Sequence, residues 1–193
     1  MKLNLDKLRN TLRTTLIDIW EYVIPIWKIS GLFKRIKSKQ DLENFIQERS
    51  AHVAQTTLYG YLKTRIGVKY IAMMEDEVFL KSINIAKWNI YVVALADCAF
   101  YVFSYLISEK NLKENNCKEV FLNILENEKK NGLNDEIFDR GKKNFLERIN
   151  KVNFLNYHLD DPFKESGQAL YYWSPIADEL KSLDKKIVLN SIP

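Results

Sequence analysis

The stretch IYVVALADCAFYVFSYLI, residues 90–107, decides the fold because a helix made of it is apolar on every side. Only Asp97 and Ser104 interrupt the run. Such a helix either lies at the centre of a protein core or crosses a membrane. In a membrane span, Asp97 would lie at the bilayer centre at a cost of about 2.5–3.5 kcal/mol. We therefore predict a buried central helix in which Asp97 has an ionic or hydrogen-bonding partner, with a membrane span as the alternative.

Length and composition favour a single all-α domain around this helix. The chain has 193 residues, of which 47% are hydrophobic, with only six glycines and two cysteines. The hydrophobic fraction is too high for a disordered protein, and the length suits one core. So few glycines disfavour a turn-rich β-sandwich or barrel. Two cysteines do not make a disulfide scaffold and indicate a reducing compartment.

Glycine spacing excludes the common glycine-loop enzymes. The closest pair, Gly60 and Gly67, is seven residues apart. Phosphate loops, dinucleotide loops and nucleophile elbows all need glycines closer together than that. Cys98 and Cys117 are too far apart in sequence for a CxxC redox or zinc pair. We expect no cofactor and no metal.

Helical periodicity extends to both sides of the central stretch. Ser38 and Asp41 predict a capping box at the start of a helix over 38–65, and Gly67 follows where a helix ends with positive φ. Gly60 inside this helix is expected to allow close packing of a neighbouring helix. Asp161-Pro162 and Ser174-Pro175 each resemble an N-cap followed by proline at the first helical position. Further helices are predicted over 76–109, 117–130, 135–153, 162–173 and 175–184, and the tail 185–193 could be extended. The whole is a bundle of about six helices.

Positive charge is concentrated at the N-terminus. Residues 1–39 carry a net charge of +6, and the remainder carries −2. We predict that residues 1–37 form a basic amphipathic helix and connector, while 38–193 form the helical core domain. Basic residues interleaved with aromatic ones are typical of contact with an anionic membrane, although an ordinary first helix with solvated lysines is the alternative. The expected membrane-contact residues are Trp20, Trp27, Phe33, Lys34 and Arg35.

A polar stripe on the helix over 38–65 supplies the first candidate site. Glu48, His52, Gln55 and Tyr59 fall on one helical face. Glu48 and His52 could form a general acid/base pair, and a serine or cysteine with His52 and Asp97 could form a hydrolytic site. Structural roles for both residues are the alternative. The Glu-x-x-x-His spacing does not match the Glu-x-x-His of four-helix carboxylate metal sites.

A second candidate site depends on how two helices pair. If the helices over 38–65 and 76–109 are antiparallel neighbours, Lys87 and Trp88 approach Gln55 and Tyr59. These residues would then line a polar pocket beside the apolar core, which is the usual composition of a ligand site. A hydrogen-bond network that fixes helix register is the alternative.

Three distinctive strings carry a resemblance to known proteins: AQTTLYGYLKTRIG (54–67), SINIAKWN (82–89) and WSPIADELKSLDKKIVLNSI (173–192). In these strings the chain resembles a group of small uncharacterised bacterial proteins, mostly alphaproteobacterial, some of which are labelled "esterase". The resemblance covers most of the chain from about residue 38 onwards. It implies a bacterial protein of the cytoplasm or the inner membrane face, and it assigns no chemistry to individual residues.

These observations favour a non-enzymatic accessory or interaction protein that works through helix packing. Its expected partner is another protein or an anionic membrane surface, and its expected location is the cytoplasm, including the surface of the inner membrane. The basic run is short and matches no nucleic-acid-binding motif, so nucleic acid is not an expected partner. An esterase-type hydrolase with a non-standard site is the first alternative, and a helical carrier of an apolar ligand or lipid is the second. The sequence leaves the oligomeric state open.

Overall fold

The computed structural model describes residues 36–113 and 115–189, and this part of the chain is an all-α, single-domain bundle as predicted. It contains six helices of ten or more residues and no strands. They are α1 (Lys39–Ile66), α2 (Glu77–Lys110), α3 (Cys117–Lys130), α4 (Asp135–Ile149), α5 (Lys164–Trp173) and α6 (Asp178–Leu189). The predicted N-terminal helix and the five expected membrane-contact residues, Trp20, Trp27, Phe33, Lys34 and Arg35, lie outside the described residues.

Helix α2 is the centre of the bundle and packs against α1, α3, α4 and α5. It is the one helix in the described ranges that is long and apolar enough to cross a membrane, by length and composition only. Inside this bundle, 67% of the most apolar 18-residue stretch of α2 is buried, as in the core helix of a globular domain. Phe145 of α4 stacks on Phe100 of α2 at 4.9 Å and on Phe121 of α3 at 3.8 Å between ring centroids. This stack fixes three helices around one point of the core.

Helices α1 and α2 form an antiparallel hairpin whose ends are set by local chemistry. The predicted capping box is present: the Ser38 hydroxyl accepts from the backbone of Asp41, and the Asp41 carboxylate accepts from the backbone of Ser38. Gly67 ends α1 with φ of +60°, which is positive as expected, but its ψ of −131° lies outside the left-handed helical region. Asp76 caps α2, because its carboxylate accepts hydrogen bonds from the backbone N–H groups of Val78 at 2.8 Å and Phe79 at 2.9 Å. A 3-10 turn over Gly67–Lys69 joins the two helices through the one-turn helix Tyr70–Met73.

The two proline-based predictions of helix starts were wrong. Asp161 has φ of +43° and is part of a turn, so that α5 begins at Lys164 rather than at Pro162. The Ser174-Pro175 pair also lies in a bend, and α6 begins only at Asp178. In both places the proline lies inside a turn: the amide of Lys164 donates to the carbonyl of Asp161, and the amide of Ile176 donates to the carbonyl of Ser174.

The ends of α4 and α6 also differ from expectation. Helix α4 stops at Ile149 rather than at residue 153, because the Lys151 and Val152 amides both fold back onto the carbonyl of Arg148. The chain then continues through a 3-10 turn over Tyr157–Leu159. Residues 185–189 are helical rather than extended, because they continue α6.

Close helix packing depends on a different glycine from the one that the sequence indicated. Gly60 has no atom within 4 Å of where a side chain would begin, so that its predicted role in packing was wrong. Gly141 of α4 carries that role, because a Cβ there would lie 2.2 Å from Cγ1 of Val92 on α2.

Candidate functional site

Asp97 is the centre of a buried hydrogen-bond network that joins α2, α4 and α5. Its side chain is fully buried, and Arg148 forms an ion pair with Oδ1 through Nη2. Oδ2 accepts hydrogen bonds from the backbone N–H of Ser166 at 2.9 Å and from its hydroxyl at 2.5 Å. The Tyr157 hydroxyl, from the 3-10 turn, lies 3.4 Å from Oδ1. The carboxylate that needed a partner therefore contacts three residues.

Asp97 also caps the N-terminus of α5 from another helix. The residue at the N-cap position, Phe163, has no side chain that could accept a hydrogen bond, and Ser166 is the third residue of the helix. The first amides of a helix have no partner within it, and a carboxylate at this end is favoured by the helix dipole. Asp97 fills the position that the sequence assigned to Asp161.

The ion pair stays charged on the arginine side. Burial lowers the pKa of Arg148, but the Asp97 carboxylate outweighs burial, and the net change is upward. Burial raises the pKa of Asp97, while the Arg148 guanidinium and the hydrogen bonds from Ser166 oppose that rise. Burial raises the pKa of Tyr157 as well, so that its hydroxyl keeps its proton.

A cavity of about 470 Å³ opens beside this network, and we call it the Arg148 cavity. Its volume falls within the range of sites for small molecules. The end of α4, the loop that follows and the first turn of α5 form its walls. The lining residues are Arg148, Lys151, Val152, Asn153, Asn156, Tyr157, Asp160, Asp161, Pro162, Lys164 and Glu165.

The guanidinium of Arg148 is held in place by its neighbours. Asp97 fixes Nη2 from behind, and the ring of Phe100 lies 5.1 Å from the guanidinium carbon. Within the described residues, its hydrogen bonds to Asp97 and Tyr157 both leave from Nη2, which leaves the N–H groups of Nε and Nη1 for a ligand. The side chain is 24% exposed. A planar guanidinium in this state suits a carboxylate or a phosphate.

The lining of the Arg148 cavity carries both signs of charge. Lys151 and Lys164 accompany Arg148, and three acidic side chains belong to the same lining. The acidic residues are Asp160, Asp161 and Glu165. Positive and negative side chains around one small volume match a ligand that itself carries both charges.

The structure separates His52 and Asp97, the two residues named for the predicted hydrolytic site. Glu48, His52 and Gln55 are exposed on α1, and Tyr59 is half-buried. Asp97 is fully buried on α2, and no hydrogen bond or ion pair joins it to His52 in the described part of the chain. Glu48 and His52 therefore share a solvent-facing surface, apart from Asp97.

Gln55, Lys87 and Trp88 line a second, smaller cavity of about 120 Å³. The polar pocket was predicted on the condition that α1 and α2 are antiparallel neighbours. They are, and their pairing brings these three residues together. Tyr91 and the buried Glu128 complete the polar lining, and the Tyr91 hydroxyl donates to Glu128 at 2.6 Å. Tyr59 is not part of this lining.

A nucleophile for the predicted hydrolytic site could come from Ser50, Ser82, Ser104 or Cys98, and each of these is hydrogen-bonded or buried. The Ser50 hydroxyl donates to the carbonyl of Ile46 on its own helix, and Ser82 does the same with Val78. Cys98 is buried.

Ser104 is fully buried and lies 2.8 Å from Nδ1 of His158. The backbone N–H of His158 also donates to the Ser104 hydroxyl, at 3.1 Å. Together the two contacts fasten the 3-10 turn to α2.

Sequence reasoning missed Arg148, Tyr157 and Ser166. The need of Asp97 for a partner was the available signal, but the chain has 29 Lys and Arg residues and 10 tyrosines among which to choose. Arg148 is 51 positions from Asp97, so no helical spacing links them. In the described residues, no group of three or more His, Cys, Asp and Glu side chains is placed to hold a metal ion. No family model, curated protein or solved structure matches the chain.

Proposed function

We propose that this chain is a non-enzymatic accessory protein that binds a small zwitterionic ligand in the Arg148 cavity. The observation that carries the proposal is Arg148 itself: a guanidinium anchored by a buried carboxylate, with donors left over, in a cavity of ligand size. A location in the cytoplasm, including the inner membrane surface, remains a prediction from the sequence.

The anionic group of the ligand binds at Arg148. Because Asp97 and Phe100 already restrict the guanidinium, binding costs little additional side-chain entropy. The N–H groups of Nε and Nη1 can each donate a hydrogen bond to an oxygen of a carboxylate or phosphate. Lys151 and Lys164 add positive charge to the same lining.

The cationic group of the ligand binds the acidic side of the lining. Asp160, Asp161 and Glu165 would repel a purely anionic ligand and attract an ammonium group. The ligand class is therefore a phosphate or carboxylate joined by a short chain to an ammonium. The function proposed is binding rather than turnover. Asp97 and Ser166 are hydrogen-bonded to each other and are not among the residues that line the cavity, so neither is placed to react with a ligand there.

Titration calorimetry with simple probes tests this function. O-phosphoethanolamine and β-alanine represent the phosphate and carboxylate forms of the ligand, and inorganic phosphate and ethanolamine represent its two halves. We expect at least one zwitterion to bind at least tenfold more tightly than either half. If neither zwitterion does so, the proposal is wrong.

Matched variants show whether binding occurs in the Arg148 cavity. Arg148→Lys keeps the charge opposite Asp97 but loses the planar fork, and we expect at least tenfold weaker binding. Lys151→Gln with Lys164→Gln tests the same cavity through exposed side chains whose loss does not endanger the fold. Lys143→Gln, on the exposed side of α4 and outside the lining, is the control and should bind as the parent does. Equal affinity in all variants would place the ligand elsewhere.

A further inference from the structure

We propose that the zwitterion is presented by a membrane: the loop over residues 152–163 docks on a bilayer surface, and the Arg148 cavity takes a phosphoethanolamine headgroup. This inference rests on the proposed function and names the source of its ligand. The main observation behind the inference is the exposure of two leucines on this loop. Leu155 is 67% exposed and Leu159 is 75% exposed, and they flank Asn156 and Tyr157 of the cavity lining.

The two leucines are exposed because their neighbours are fixed inward. The ring of Tyr157 packs edge-on against Phe100 at 5.7 Å between centroids, and its hydroxyl donates to the carbonyl of Pro162 at 2.8 Å. His158 is tied to the buried Ser104 through its ring and its backbone. Because Tyr157 and His158 are anchored in this way, Leu155 before the 3-10 turn and Leu159 at its end face solvent.

The surface next to this turn contains Tyr105 and Lys110, which are residue types of a membrane interface. It also contains Glu109, whose carboxylate lies 3.9 Å from Nε2 of His158. Tyr105, near the end of α2, is 40% exposed, and its ring packs edge-on against His158 at 6.0 Å. The ammonium of Lys110 lies 5.7 Å from the centroid of the same tyrosine ring. Tyrosine and lysine favour the headgroup level, and exposed leucines enter the boundary with the acyl chains.

The charges that line the neighbouring Arg148 cavity indicate which lipid headgroup would bind beside Leu155 and Leu159. Other apolar side chains are exposed as well, including Val68 and Val78 at the α1–α2 turn, but neither of the two cavities described above is lined by residues of that turn. Beside Leu155 and Leu159, positive and negative side chains surround a volume of about 470 Å³, which is large enough for a lipid headgroup. A phosphate for Arg148 and a primary ammonium for the acidic side chains are the two charges of phosphatidylethanolamine.

Flotation of the full chain with vesicles tests the docking. We expect binding to phosphatidylcholine vesicles that contain phosphatidylethanolamine, and at least tenfold weaker partitioning onto vesicles in which phosphatidylglycerol replaces it. Soluble O-phosphoethanolamine should compete for binding. Binding that needs phosphatidylglycerol alone would indicate general attraction to anionic lipid and overturn the inference, as would an absence of binding to every vesicle.

Leu155→Ser with Leu159→Ser is the decisive variant, because both side chains are exposed and their loss leaves the core intact. We expect at least tenfold weaker vesicle binding with unchanged affinity for soluble O-phosphoethanolamine. Val78→Ser removes an apolar side chain of 73% exposure at the opposite end of α2 and serves as the matched control. If Val78→Ser loses vesicle binding and the leucine variant keeps it, the docking surface is wrong while the proposed function stands. If soluble O-phosphoethanolamine does not bind the parent protein, the proposed function itself fails.

Discussion

At the scale of single residues, Asp97 and Arg148 link the buried core to the proposed binding site. Asp97 is fully buried, so that its charge is tolerated only while Arg148 and Ser166 surround it. Removing one member of a buried ion pair leaves an unpaired charge, whereas replacing both members is often close to neutral. The same pair positions the guanidinium of the cavity, so the core and the candidate site share one interaction.

A double-mutant cycle measures this interaction. Arg148→Met should lower the free energy of unfolding by about 3–5 kcal/mol, because the Asp97 carboxylate is then buried without a cation. Adding Asp97→Asn should recover part of that loss, since the amide carries no charge to desolvate. Urea denaturation of the parent, both single variants and the double variant gives the coupling energy. Additive effects would mean that the two side chains act independently.

We expect burial of the Cys98 thiol to make the free energy of unfolding depend on pH. Burial raises the pKa of Cys98 from 9.0 to about 11. Between these values the unfolded thiol loses its proton and the folded one keeps it, so the contribution of Cys98 to stability falls as pH rises, by about 2–3 kcal/mol in all. The gap in unfolding free energy between the parent and Cys98→Ala should therefore narrow from pH 8 to pH 11. A constant gap across this range would contradict the predicted titration.

At the scale of elements, helix α4 approaches α2 closely because Gly141 has no side chain. A Cβ at Gly141 would overlap the Val92 side chain, which is itself buried against its neighbours. Gly60 of α1 is the opposite case, since nothing surrounds it. The two glycines are both inside helices and differ only in what lies next to them.

Alanine substitutions at the two glycines should therefore change stability in opposite directions. Gly141→Ala should lower the free energy of unfolding by about 1–3 kcal/mol, the usual cost of overpacking. Gly60→Ala should raise it by about 0.5–1 kcal/mol, because alanine loses less backbone entropy in a helix. Thermal denaturation of the two variants beside the parent measures both effects. If both variants gain stability, the close approach of α4 to α2 is wrong.

Helix positions were predictable where local chemistry determines them. The Ser38–Asp41 capping box and the apolar run of α2 depend on neighbouring residues, and both were confirmed. The start of α5 was not predictable in this way, because its cap is Asp97, which lies 69 positions from Ser166. Arg148 was hidden for the same reason. Local patterns identify helices, whereas contacts between distant residues determine where this chain forms its site.

At the scale of the whole molecule, residues from Ser38 onwards form one compact unit. In this unit, α2 contacts four of the other five helices, and its buried face needs all of them. Because burial of this single core is shared among the helices, unfolding should be cooperative.

Deleting residues 1–37 tests the predicted division of the chain. We expect the remaining chain to keep its helical circular dichroism and to unfold in a single thermal transition. It should also retain its affinity for O-phosphoethanolamine, since every residue of the Arg148 cavity lies after residue 37. A truncated chain that is insoluble or unfolds without a transition would show that the N-terminal residues belong to the core.

The hydrogen bonds of Asp97 also have a consequence for synthesis on the ribosome. The chain emerges from its N-terminus, so α2 leaves the exit tunnel long before Arg148 and Ser166 do. During that interval the most apolar helix of the protein carries a carboxylate that has none of its native partners. Early burial of α2 would therefore cost free energy until α5 has been translated, which favours a late, concerted collapse of the helices.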